Sequence, residues 1–156
     1  GGYVNWQNKY TDDGYEWKVD GKKKSIGEGI INNIKKQAGV TGKVVGVEIN
    51  KETYNFAQEN LKKAGYKNVI LIHGDGSLGY TKYAPYDKIV VSATSPDIPK
   101  PVIEQLKPNG ILLIVIGSPF GDQNLIKVKK AKTGKLIKKE LLPVIFVPLK
   151  GKYGWK

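Results

Sequence analysis

An α/β fold is what this sequence predicts: a three-layer sandwich on a mostly parallel sheet, finished by antiparallel strands. Three observations carry that prediction. From residue 43 onward, short β-branched runs alternate with a helical pattern, which implies parallel strands joined by crossovers. The run at 110–116 (GILLIVI) is apolar on both faces, as a central strand requires. Two successive predicted strands end beside acids, Glu48 and Asp75, and the carboxyl ends of strands are where open α/β sheets bind ligands. A chain of 156 residues suits one domain with one sizeable core.

The elements follow in order. Tyr15, Trp17 and Val19 alternate with Glu16, Lys18 and Asp20, the period-two pattern of a half-buried strand. Asp13-Gly14 predicts a hairpin turn before it, with residues 4–10 as the partner strand. Residues 1–24 thus read as an aromatic hairpin segment, and residues 25–156 as the α/β domain, compact together. Residues 43–49 (KVVGVEI) predict a buried strand. Residues 51–64 then carry Tyr54, Ala57, Leu61 and Ala64 on one helical face, with Gly65 as the stop. Residues 68–72 and 87–91 predict the next two strands, 99–106 a short helix opened by proline, and 110–116 the central strand. Residues 125–130 and 136–149 predict the antiparallel pair, joined by a Lys-Thr-Gly-Lys turn.

Composition narrows the chemistry. Zero Cys excludes disulfides, thiolate metal sites and a cysteine nucleophile. A single His (His73) leaves no basis for a histidine-built metal site or a Ser-His-Asp triad, so no metal is expected. No apolar run is long enough to span a membrane. The formal charge is +12, and all 26 basic residues are Lys. Residues 121–156 hold ten Lys against two acids. Such a tail can meet phosphate or an acidic partner, but a Lys-rich solvated face is the plainer reading. Without Arg, forked base and phosphate contacts are missing, so nucleic acid is a possible partner and not the favoured one.

Two strand ends carry the candidate chemistry. The two oxygens of Glu48 can accept from both hydroxyls of a ribose diol; the alternative is a plain exposed strand-end acid. Gly74 and Gly76 flank Asp75, letting the backbone approach a flat ligand while the carboxylate accepts from an amino group such as adenine's; the alternative is a plain glycine-rich turn. Their coincidence at successive strand ends favours a nucleoside-type cofactor. Gly27 and Gly29, in Ile26-Gly27-Glu28-Gly29 before an amphipathic stretch, form a possible cofactor loop, though the full dinucleotide fingerprint is absent.

Residues 42–156 carry a specific set of motifs: GDGS, APYD, VSAT-x-P-x-IP, EQLKPNG, Gln123 followed by Leu125, and FVPL before a final Gly-Trp. As a set they resemble the protein-L-isoaspartate O-methyltransferase family. The resemblance implies a Rossmann-like, S-adenosylmethionine-dependent methyltransferase fold. It implies that Glu48 holds the cofactor ribose and that Asp75, between Gly74 and Gly76, addresses the adenine. It further implies that Ser92, Ala93 and Thr94, with Val147, Pro148 and Leu149, shape the site for isoaspartyl-containing proteins or peptides. The family methylates the stray α-carboxylate, and the ester collapses to a succinimide that reopens partly as aspartate. A cytoplasmic monomer active in protein repair is the matching expectation, with the catalytic residues unassigned.

The N-terminal part departs from that pattern. Residues 1–24 lack the family's Thr-Ile-Ser-type motif, the loop at 26–29 is about three residues short, and Lys22, Lys23 and Lys24 occupy the place of a central apolar strand. Burying three unpaired ammonium groups would cost several kcal/mol each, so these lysines are expected outside the buried sheet. With no Met anywhere, a truncated, recombined or divergent relative is expected, with a non-catalytic descendant or a basic nucleic-acid-binding module as the alternatives.

Overall fold

A computed structural model describes residues 42–156 throughout, together with the backbone of three strands: β1 (Gln7–Thr11), β2 (Gly14–Val19) and β3 (Lys22–Lys24). The chain divides into two compact units, residues 1–46 with 52–71 and residues 47–51 with 72–156.

In the first unit, β1, β2 and β3 form an antiparallel three-stranded sheet in that order. The expected hairpin is present, but Thr11 pairs with Gly14, so Gly14 opens the strand rather than closing the turn. The segment around Tyr15–Trp17 is the middle strand of this small sheet. Lys22–Lys24 form the outer strand of this small sheet and take no part in the α/β sheet, as the desolvation argument required.

The helix Lys51–Lys63 has Glu52 in its first turn and Lys62 and Lys63 in its last, each matching the helix dipole. Tyr54, Ala57 and Leu61 turn inward, while Phe56 is exposed on the flank. The helix stops at Gly65, whose φ of 71° lets the Tyr66 N–H reach back to the Leu61 carbonyl at 3.1 Å. On either side of it, β4 (Val44–Glu48) and β5 (Val69–His73) pair with each other.

The second unit is built on β6 (Tyr86–Ser95), β7 (Leu106–Gly117), β8 (Gln123–Lys130) and β9 (Leu136–Pro143), in that spatial order. β6 and β7 are parallel and the remaining pairs antiparallel, so this sheet is mixed, with the expected antiparallel finish at its C-terminal strands. β7, the apolar run, lies inside. Its Leu112 and Ile114 join Val128 of β8 and Val102 and Leu106 in a fully buried cluster, each such side chain contributing roughly 1.5–3 kcal/mol. Val102 belongs to the short helix Lys100–Glu104, capped by Pro99 with proline again in its first turn. Lys130 closes this helix's far end, donating from Nζ to the carbonyls of Ile103 (3.0 Å) and Leu106 (2.9 Å).

β9 is shorter than its apolar pattern predicts. It ends at Pro143, which cannot donate to a ladder; the Val144 N–H still reaches the Gln123 carbonyl of β8 at 3.0 Å, and residues 147–149 run against Thr94 instead.

Candidate functional site

The ends of β4 and β5 meet through the backbone: the Gly74 N–H donates to the Glu48 carbonyl at 2.9 Å. Glu48 is half-buried, and its Oε1 accepts from the Asn50 N–H at 2.8 Å, an Asx-like brace that fixes the side chain at the strand end. Its Oε2 takes no hydrogen bond among the described residues. His73 reaches back over the same junction, its Nε2 3.1 Å from the Ile49 carbonyl.

Gly74 and Gly76 are bare without a conformational reason. Neither has a positive φ, and among the described residues a Cβ on either would meet only ordinary contacts, 3.7 Å or more away, from Val47 and Ile72. The described residues leave room for a side chain at both positions, so the peptide edge they leave bare can face a flat ligand. Gly79 and Gly151 are different: a Cβ on Gly79 would collide with the Gln105 amide, and one on Gly151 with the Asp75 carboxylate.

Asp75 caps the tight turn Gly76–Leu78. Its Oδ1 accepts from the Ser77 N–H (2.9 Å) and the Ser77 hydroxyl (2.6 Å), and its Oδ2 from the Lys152 N–H (2.8 Å). Partial burial pushes the Asp75 carboxyl up, but the Ser77 hydroxyl and the Lys152 and Ser77 N–H groups outweigh it and hold the group below its ordinary value of 3.8. A carboxylate has about four acceptor positions, so three donors leave about one open. Buried Gln105 steadies the following loop, accepting from the Tyr80 N–H (2.7 Å) and donating to the Leu78 carbonyl (2.9 Å).

Ser92, Ala93 and Thr94 lie near the end of β6, and Val147, Pro148 and Leu149 come alongside them. The Thr94 N–H donates to the Val147 carbonyl and its carbonyl accepts from the Leu149 N–H, both at 2.8 Å. Thr94 is fully buried, its hydroxyl donating to the Gly117 carbonyl at 2.8 Å. Ser92 and Val147 face solvent. Gln123, also buried, clamps the same segment: its Oε1 accepts from the Phe146 N–H at 2.7 Å, and its Nε2 donates to the carbonyls of Ser118 (3.0 Å) and Phe146 (3.3 Å).

Strand-end patterns thus singled out Glu48 and Asp75, the family resemblance singled out both substrate-side stretches, and the structure brings residues 92–94 and 147–149 together. Gly27 and Gly29 lie outside the described residues. Ser77, Gln105, Gln123 and the backbone of Lys152 were missed as positioning groups. A buried Gln next to an apolar strand was the one signal available for two of them.

The family model for protein-L-isoaspartate(D-aspartate) O-methyltransferase matches residues 27–154, reaching further toward the N-terminus than the motifs at 42–156 and including the Gly27 loop. A Methanosarcina mazei protein-L-isoaspartate O-methyltransferase is 50% identical over 118 residues, covering 76% of this chain and 48% of the relative. Protein-L-isoaspartate O-methyltransferase 2 of Archaeoglobus fulgidus is 52% identical over 118 residues, covering 76% and 53%. A solved protein-L-isoaspartate O-methyltransferase superposes with a TM-score of 0.69 at 30% identity, over 74% of this chain and 37% of that one. A Plasmodium falciparum beta-aspartate methyltransferase (PCMT) in complex with S-adenosyl-L-homocysteine gives 0.59 at 30% identity, over 69% and 52%. The Rossmann-like methyltransferase fold is therefore shared, and the chain spans about half the length of the curated relatives it matches.

Proposed function

Because the chain belongs to the protein-L-isoaspartate(D-aspartate) O-methyltransferase family, we propose that it acts in S-adenosylmethionine-dependent methylation of L-isoaspartyl carboxylates in damaged proteins. The observation that carries the proposal is the junction of the two strand ends: the Glu48 carbonyl accepts from the Gly74 N–H, the Glu48 carboxylate keeps one oxygen without a hydrogen bond among the described residues, and Gly74 and Gly76 flank Asp75.

These residues fit the nucleoside half of S-adenosylmethionine. Glu48 Oε2 would accept from a ribose hydroxyl, the Gly74 and Gly76 edge would lie against the base, and the open position on Asp75 would accept from its amino group. Gly27 and Gly29 are the proposed holders of the methionine end. When bound, the cofactor supplies an electrophilic methyl on a sulfonium. The substrate carboxylate is its own nucleophile, so no side-chain base, nucleophile or metal is required of the chain, in keeping with one His and no Cys. What its residues contribute is alignment. In this proposal Ser92, Ala93 and Thr94 with Val147, Pro148 and Leu149 shape the isoaspartyl site, buried Thr94 acting from behind by tying the two stretches together through two backbone hydrogen bonds. Isoaspartyl-containing proteins or peptides are the partners, and we propose a cytoplasmic monomer.

The test is transfer of labelled methyl from S-adenosylmethionine to an isoaspartyl peptide and to its aspartyl twin. The proposal expects a base-labile ester on the isoaspartyl peptide alone. Equal labelling of both peptides, or no labelling under conditions where cofactor is bound, would overturn it.

A further inference from the structure

Residues 150–155 fold back as a closed turn: the Trp155 N–H donates to the Leu149 carbonyl at 2.7 Å, and the Gly154 N–H to the Gly151 carbonyl at 3.2 Å. Lys150 and Trp155 are bridged at its base. The turn grips the Gly76–Leu78 loop at two points, the Lys152 N–H on Asp75 Oδ2 and the Tyr153 N–H on the Ser77 hydroxyl oxygen at 3.1 Å. Asp75 and Lys152 are 77 residues apart in sequence, so this contact exists only because the chain's final segment returns to the end of β5.

Gly151 makes the approach possible. Its φ of 141° lies in a region that residues with a side chain rarely adopt, and a Cβ there would overlap the Asp75 carboxylate. Ser77 is fully enclosed, its hydroxyl donating to Asp75 while accepting from Tyr153, which relays the turn to the carboxylate. The same segment continues directly from Leu149, bonded to Thr94. The proposed substrate stretch and the proposed adenine acceptor are therefore held by one continuous piece of backbone.

We propose that this turn is a positioning element for base recognition: Gly151, Lys152 and Ser77 hold the Asp75 carboxylate in one orientation, leaving a single acceptor position directed to an exocyclic amine. The proposal rests on the cofactor assignment above, which already sets an amino-bearing purine against Asp75, and adds the turn that fixes the carboxylate for it; selectivity against an oxo-bearing purine is its readout. An oxo group would place a second acceptor against the carboxylate, with no proton between them. Gly151, Lys152 and Ser77 act through Asp75 and are positioning residues, not catalytic ones. The depressed titration of Asp75 agrees with a carboxylate held by several donors.

The experiment compares S-adenosylhomocysteine with S-inosylhomocysteine by calorimetry, on the full chain and on its Ser77→Ala and Gly151→Ala variants. It is paired with a carbon NMR titration of the Asp75 carboxyl in ligand-free protein. The wild-type chain is expected to prefer the adenine ligand, and both variants to lose about tenfold of that preference. The Asp75 titration should move upward in both variants. Should Gly151→Ala fail to fold, Ser77→Ala decides the matter, because it deletes only one hydroxyl. Unchanged preference and an unchanged Asp75 titration in folded variants would overturn the positioning role and leave the cofactor assignment standing. A wild-type chain that binds neither ligand would overturn both.

Discussion

Gln123→Leu is the sharpest single perturbation of the substrate side. The side chain is buried and makes three hydrogen bonds, to the Phe146 N–H at 2.7 Å and to the Ser118 and Phe146 carbonyls at 3.0 and 3.3 Å. Leucine keeps most of the volume and removes all three. At about 1 kcal/mol per neutral bond, with the longest counting for less, the loss is about 2–3 kcal/mol. For a chain of this size that lowers Tm by about 5–10 °C. Residues 147–149 keep their two backbone bonds to Thr94, so the segment loosens at Phe146 without detaching. Denaturant unfolding followed by tryptophan fluorescence measures the loss, and peptide titration with methyl transfer should show a raised KM with a smaller change in kcat. A loss under about 0.5 kcal/mol, the range of an indifferent surface change, would refute the claim that Gln123 is the clamp.

Three further outcomes are expected. Lys130→Met removes two charge-assisted bonds from the end of the helix Lys100–Glu104 and should cost about 2 kcal/mol in denaturant unfolding. Lys139→Glu replaces one of two lysines directly opposed across β8 and β9, and should stabilise by roughly 0.2–1 kcal/mol at low salt, with the gain fading as salt is added. Asp75 has a depressed folded-state pKa, so its contribution to stability is full above the unfolded carboxylate value and is lost as pH falls through the lower folded value. Unfolding of wild type and Asp75→Asn, followed from neutral pH downward, should therefore differ at neutrality and converge in acid.

The legible parts of the molecule were those with a local signature. Strand and helix periods placed β4, the helix Lys51–Lys63, β5 and β7 within a few residues, and those strand ends put Glu48 and Asp75 at a common edge. The hidden parts depend on contacts with no local trace. Residues 136–149 read as one strand, yet β9 ends at Pro143, Val144 makes one more bond to β8, and residues 147–149 pair with Thr94 on another strand. The Lys152 N–H on Asp75 is a backbone contact, so no side-chain pattern announces it; only Gly151, bare where the carboxylate sits, leaves a mark in the sequence. The lysines at 22–24 were legible in the opposite sense. Desolvation cost excluded them from the buried sheet, and they pair instead at the edge of a small antiparallel one.

Calorimetric titration of S-adenosylhomocysteine into the wild-type chain and into Glu48→Ala tests the nucleoside site most directly. Saturable binding to wild type is expected, weakened by about tenfold or more in the variant through loss of a charge-assisted hydrogen bond, with the unfolding transition retained. No binding to wild type at millimolar ligand, or equal affinity in both proteins, would contradict a cofactor site at the ends of β4 and β5.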